Sequence, residues 1–167
     1  KMTIQQYQVD AKRTCPDLGE KLNLCHMVLG IGSEFEEYVN AIDEINKSEE
    51  CSDMCWYLAN YCTFREISFY ALFLESKYNE KSFVENVSLL QDFTKKYIVY
   101  GKEINSDKEY EVLKGLMYNI QHMYGDITIL NSLENNIAKL RVRFPEKFDE
   151  KLALNRNLEA ERIELEK

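Results

Sequence analysis

The chain reads as an all-α protein, an antiparallel bundle of helices, on three observations. Two prolines and six glycines in 167 residues leave few places where a helix must break. Apolar residues recur at steps of three and four along much of the chain, the spacing that lays a stripe along a helix. Hydrophobic residues make up 45% of the sequence, including eleven Tyr, eight Phe and one Trp, which is enough to pack a core. At this length a single domain, residues 1–167, is expected.

The elements follow in order. Residues 3–14 predict a short amphipathic helix with Ile4, Tyr7 and Ala11 on one side and Val9 off that stripe. Cys15-Pro16-Asp17 ends it, because the residue before a proline is pushed out of the α region. A second helix is expected from Leu18 to about Ile45, buried along Leu24, Val28, Ile31, Phe35, Val39 and Ile42. Gly30 and Gly32 fall inside it, where glycine costs up to ~1 kcal/mol relative to alanine. Close helix packing and room for a ligand beside Glu34 both account for them. Asn46-Lys47-Ser48 reads as the turn, with Ser48 as N-cap of a helix from Glu49 to roughly Ser76. Residues 18–76 then form an antiparallel pair. After a break at 78–80, a helix to Tyr100, a hinge at 101–107 and a helix over 108–133 make a second hairpin, 80–133. That hairpin is rich in aromatics and suits a core and a subunit face; His122, among Tyr118, Met123 and Tyr124, reads as a packed or interfacial residue. Pro145 ends the next helix, and the final charged stretch carries no site signal.

The chemistry concentrates in residues 34–53. Glu34 and Glu37 are three residues apart, and so are Glu50 and Asp53. On a helix that spacing puts both carboxylates of a pair on one face, with Cβ atoms roughly 5–6 Å apart. Twelve intervening residues suffice to finish one helix, turn, and begin an antiparallel partner, so four carboxylates would converge between two helices. At ~4 Å and an effective dielectric of 20, each like-charge pair costs about 4 kcal/mol. The cluster must therefore be solvated, be protonated, or hold a hard cation. An apolar run, Met54-Cys55-Trp56-Tyr57-Leu58, stands directly behind Asp53, which disfavours a solvated surface face and favours a metal site. Tyr57, one turn beyond Asp53 on its face, is either a wall of that site or a core residue.

Composition excludes several classes. A net charge of -8 makes a poor coat for a nucleic acid polymer, although bridging divalent cations would still admit a small phosphorylated ligand. The apolar runs are too short for a membrane span. Lys1–Tyr7 lacks the apolar centre of a signal peptide, and Lys1 ahead of Met2 reads as a leftover of expression. The odd count of five cysteines suits free thiols in a reducing cytosol, packed as small apolar residues. Cysteines at i and i+4 have no second Cys/His pair to complete a tetrahedral site. No Ser/His/Asp set or reactive cysteine offers a covalent nucleophile.

The densest basic patch is Lys139, Arg141 and Arg143. Lys139 and Arg143 share a helical face, Asn136 lies one turn earlier, and Asn155-Arg156 follows after Pro145. Such a face can hold a phosphate or triphosphate, or simply pair with the acidic bulk.

Together these stretches resemble the all-α nucleoside triphosphate pyrophosphohydrolases, the MazG-like superfamily, in the form encoded by phages and bacteria. The matching segments are His26–Glu37, Glu49–Ala59 and the basic stretch Asn136–Pro145 with Asn155-Arg156, within residues 22–62 and 135–157. The resemblance implies a MazG-like helical bundle that cleaves a nucleoside triphosphate to monophosphate and pyrophosphate. By that resemblance Glu34, Glu37, Glu50 and Asp53 would be catalytic ligands of Mg²⁺, with Mn²⁺ as a substitute. One glutamate, with Glu36 as an outside candidate, would accept the proton of the attacking water. Lys139 and Arg143 would meet the β and γ phosphates, joined by Asn136, Asn155 and Arg156, and Tyr57 and Trp56 are the candidates to stack on or wall in the base. It also implies a cytoplasmic homodimer or homotetramer acting on a small nucleotide, with no membrane or polymer partner. A relative that sequesters a nucleotide or signalling molecule without turnover is the rival reading.

Overall fold

Helix α3 (Glu44–Phe64) is the element against which the others are laid. The computed structural model describes residues 1–167 and contains nine helices and no strand. The others are α1 (Ile4–Arg13), α2 (Glu20–Val39), α4 (Phe69–Glu75), α5 (Phe83–Tyr100), α6 (Ser106–Met123), α7 (Ile129–Arg143), α8 (Glu150–Leu154) and α9 (Leu158–Leu165). The all-α expectation holds.

Ten consecutive or near-consecutive positions of α3, from Cys51 to Cys62, are buried, so this helix is apolar around most of its circumference. A helix of that kind needs neighbours on every side. It has them in α1, α2, α4, α6 and α7. Helix α2 runs antiparallel along it: Tyr38 faces the start of α3, Gly30 faces Tyr57, and His26 faces Trp56 and Tyr57. Helices α5 and α6 form the expected second hairpin, with α5 against α2. One core of 29 buried residues draws on α1 through α7. Cys15, Cys51, Cys55 and Cys62 belong to it as free thiols. Burial pushes the Cys15 and Cys55 thiols up to about 12, which keeps them protonated and inert.

Several boundaries differ from expectation. Helix α2 stops at Val39 rather than Ile45, and the turn is at 40–43 rather than 46–48. Asp43, not Ser48, is the N-cap: its carboxylate accepts from the Asn46 amide at 2.8 Å. Ser48 lies inside α3 and instead bonds Ser132 on α7 at 2.7 Å. With the helix ended, Val39 is 62% and Ile42 89% exposed, so neither continues the buried stripe. The span 18–76 therefore holds α2, α3 and α4, since α3 ends at Phe64. The span 80–133 likewise holds α5, α6 and the start of α7, because the helix predicted to reach Leu133 stops at Met123. His122 packs against Tyr118 at the surface, with centroids 4.4 Å apart and the rings tilted by 35°.

The carboxyl-terminal segment is folded back over the α2–α3 pair. Arg13 at the end of α1 donates to the carbonyls of Phe144 and Glu146, and the Phe148 amide donates to the Arg13 carbonyl at 3.2 Å. Arg162 on α9 donates to Asp43 at 3.2 Å, tying the last helix to the α2–α3 turn. No helix is long and apolar enough to cross a membrane.

Candidate metal and phosphate site

Glu34 and Glu37 on α2 and Glu50 and Asp53 on α3 all line one cavity of about 660 Å³. Their convergence follows from the antiparallel packing of two helices that each carry acids at i and i+3. Carboxylate oxygens of Glu34, Glu50 and Asp53 lie within 4.8 Å of one another, close enough to share an ion; Glu37 sits outside that tight triad. The opposite wall is α7 with the segment after it, contributing Lys139, Arg143 and Arg156. Pro16 and Leu18 of the α1–α2 connection, with Trp56 and Tyr57, make the remaining lining less polar.

The electrostatics are unbalanced toward negative charge. Glu34, Glu37, Glu49, Glu50, Asp53 and Glu150 face three basic side chains, Lys139, Arg143 and Arg156. Burial raises Glu34 well above the usual carboxylate range, and the Asp53 charge adds to it. Glu50 is raised to about 7, again chiefly by burial. One oxygen of Glu34, Oε2, is buried and receives no hydrogen bond from the protein. A buried carboxylate oxygen without a donor is costly unless a proton or a cation meets it.

The basic residues divide by partner. Lys139 is only 2% exposed; its Nζ lies 2.7 and 3.0 Å from the two oxygens of Asp53 and 3.4 Å from Glu49. Burial works against its ammonium, but Asp53 and Glu49 outweigh that and hold it charged. Asn136 does not line the cavity. Its amide donates to Asp53 at 2.7 Å and its carbonyl accepts from the Tyr7 hydroxyl at 3.1 Å, so it orients the Asp53 carboxylate from behind. Arg143 and Arg156 both reach the cavity while donating to Glu161, at 3.0 and 2.7 Å. Asn155 is exposed, donates to the Lys151 carbonyl at 2.8 Å, and stays outside the site. Glu36, the outside candidate for a base, is exposed and bonded by Asn40.

Tyr57 lies in the cavity wall, and Gly30 is what lets it. A Cβ on Gly30 would come within 2.1 Å of the Tyr57 ring, so only glycine fits there. A Cβ on Gly32 would make ordinary contact at 3.6 Å, so nothing at that position demands glycine. Trp56 is core-like, and its indole Nε1 donates to Thr14 at 2.9 Å.

Sequence reasoning missed three residues. Glu49 shares Lys139 with Asp53. Glu161, from the stretch assigned no role, is 2% exposed and holds both arginines. His26 lines the cavity between the rings of Trp56 and Tyr57. The spacing His26, Gly30, Glu34 at steps of four was a usable signal, since it places the histidine two turns before the first carboxylate on its own face. Comparison of the chain with protein-family models, curated proteins and solved structures returned no significant match.

Proposed function

We propose that this chain is a MazG-like, Mg²⁺-dependent pyrophosphohydrolase that cleaves a (deoxy)nucleoside triphosphate to a monophosphate and pyrophosphate. One observation carries the reading: a carboxylate triad within 4.8 Å and a row of basic side chains share a single cavity. The donor set fits the ion. It is all oxygen, it is in charge excess, and Glu34 Oε2 is buried without a protein partner, which suits a hard cation such as Mg²⁺ or Mn²⁺ better than a soft one. Glu34, Glu50 and Asp53 would hold it, with Glu37 flanking. Bound there, a divalent ion neutralises phosphate charge and lowers the pKa of a coordinated water.

The chain's own residues supply the rest. Arg143 and Arg156 present planar forks to anionic oxygens, and Glu161 behind them fixes their orientation. Lys139 and Asn136 set the rotamer of Asp53, a supporting role in place of the expected direct phosphate contact. Glu37 lines the cavity with no basic partner and is the acid placed to accept a proton from the attacking water. A homodimer or homotetramer in a bacterial or phage-infected cytosol belongs to the same proposal.

The test is a (d)NTP panel with Mg²⁺, followed by release of pyrophosphate and monophosphate. Wild type should turn over at least one nucleotide, and Glu50→Gln should lower the rate by at least about 100-fold, the upper range for disturbing a ligand's surroundings. Purified, Mg²⁺-loaded protein that cleaves none of the common (d)NTPs, dUTP or guanosine tetraphosphate would sink the proposal. One observation favours a second reading. The Lys139 ammonium already neutralises both oxygens of Asp53, a position a further cation would otherwise claim. A protein that binds a nucleotide tightly without cleaving it would establish that alternative, a sequestering role.

A further inference from the structure

We infer that the ring-lined end of this cavity is a nucleobase-reading subsite, in which the His26 imidazole and the Tyr57 hydroxyl hydrogen-bond the edge of the base. The inference rests on the nucleotide reading above and adds the residues that choose among nucleotides. Three rings meet at this end. The His26 ring lies 5.7 Å from Tyr57 and 6.4 Å from Trp56, and Trp56 lies 5.0 Å from Tyr57, each pair edge-on. They form a corner whose faces suit a flat heteroaromatic ring.

The polar atoms in that corner separate into used and unused. Trp56 has committed its only donor to Thr14, so it is a wall. The fully buried tyrosines, Tyr7, Tyr61 and Tyr124, each bond a protein group through the hydroxyl. Tyr57 lines the cavity and makes no such bond, nor does either ring nitrogen of His26; Nδ1 is buried without a partner. Mid-helix Gly30 keeps the Tyr57 ring in this place, since any side chain there would overlap it.

Chemistry sets the ligand class. Burial lowers the histidine below its ordinary value, so near neutral pH the ring is uncharged. It offers one donor and one acceptor and no attraction for phosphate. Orphaned buried N–H groups are rarer than orphaned acceptors. That places the proton on Nε2 and presents a donor to a ring nitrogen or carbonyl of the base. Lys139 meets α3 at Glu49 and Asp53, and the rings begin one turn later at Trp56 and Tyr57. The neutral rings thus stand one turn from the acids that would hold the cation and, through it, the phosphates, the order of groups along a nucleotide.

The experiment measures kcat/KM and binding across the eight common (d)NTPs with Mg²⁺, with inorganic tripolyphosphate as the base-free probe. It compares wild type, His26→Phe and His26→Asn, with melting temperature as the folding control. Wild type should prefer particular bases. His26→Phe should compress the best-to-worst ratio by about tenfold, the worth of one hydrogen bond. His26→Asn, which keeps a donor, should retain part of the preference. A folded His26→Phe with the wild-type ranking intact, or a wild type indifferent to the base, overturns the subsite and leaves the hydrolase standing. Wild type that responds to tripolyphosphate no less than to any nucleotide overturns the subsite as well. Absence of both cleavage and binding for every probe overturns the nucleotide reading itself.

Discussion

Glu109 on α6 and Glu34 on α2 are both carboxylates inside the bundle, and the protein treats them in opposite ways. Glu109 is 2% exposed and complete. Arg65 donates to it from Nε at 2.8 Å and Nη2 at 3.1 Å, and the Tyr61 hydroxyl donates to it as well. Glu34 faces Glu50 and Asp53, with one buried oxygen that no group of the chain satisfies. A closed, neutral unit such as Glu109–Arg65 joins helices and has no capacity left for a ligand. An acid cluster whose pairing is unfinished carries a standing electrostatic cost, and that cost becomes affinity when a cation arrives. Burial alone therefore does not mark a functional carboxylate; the missing partner does.

Substitution separates the two cases by sign. Glu109→Ala leaves the Arg65 guanidinium and the Tyr61 hydroxyl unpaired in a largely buried setting, and should lose about 3 kcal/mol in denaturant unfolding with or without Mg²⁺. Wild type in Mg²⁺ at 100 times its dissociation constant should gain about 2.7 kcal/mol, read as a rise in melting temperature. Glu34→Gln should abolish that rise. Without metal the same variant should be more stable than wild type by about 1 kcal/mol, because glutamine spares the cost of keeping a proton on an acid that burial and Asp53 hold out of its charged form. If Glu34→Gln and Glu109→Ala destabilise alike and Mg²⁺ changes neither, the distinction between the two acids is wrong.

How far each region could be read beforehand follows the same division. The acids at i and i+3 on two helices, Trp56 and Tyr57 behind Asp53, and Lys139 and Arg143 before Pro145 belong to local patterns, and the structure brings them to one cavity; Arg141, of the same basic patch, stays outside it near Asp10. The antiparallel pair was legible for the same reason. Its turn was not: Val39 and Ile42 continue the α2 period in sequence but stand in solvent, and the Asp43 cap that starts α3 outcompeted Ser48. Periodicity reports what a helix could bury, whereas the cap decides where the helix begins. In sequence Glu161 is one more charge in a final stretch that reads as a charged helix or frayed tail; the structure makes it helix α9. Its partners Arg143 and Arg156 are what bury it, and no local pattern announces a partner across a loop. Glu109 was silent for the same reason, with Arg65 lying 44 residues away.

The smallest effect is the one that tests the comparison without a metal or a substrate. Burial raises Glu50 from an ordinary 4.5 to about 7, and raises Glu34 also. A carboxyl raised in the folded state holds its proton there after the unfolded chain has released it. Between about pH 4.5 and pH 7 the native protein therefore binds more protons than the unfolded one, and stability falls as pH rises through that window. Each proton sets a limit of about 1.4 kcal/mol per pH unit, and solvent screening of the partly exposed Glu50 keeps its share below that. Comparing metal-free wild type with the double variant Glu34→Gln/Glu50→Gln isolates this part, because both coupled groups leave together. Wild type should lose stability relative to the double variant from pH 5 to pH 7, and saturating Mg²⁺ should reverse the trend, since the ion binds the deprotonated acids. Glu109→Ala should shift the stability of the metal-free protein while leaving that relative slope in place. A parallel pair of curves for wild type and the double variant would mean that the acid cluster is solvated and balanced after all, and that its likeness to the closed Glu109 unit is closer than its geometry indicates.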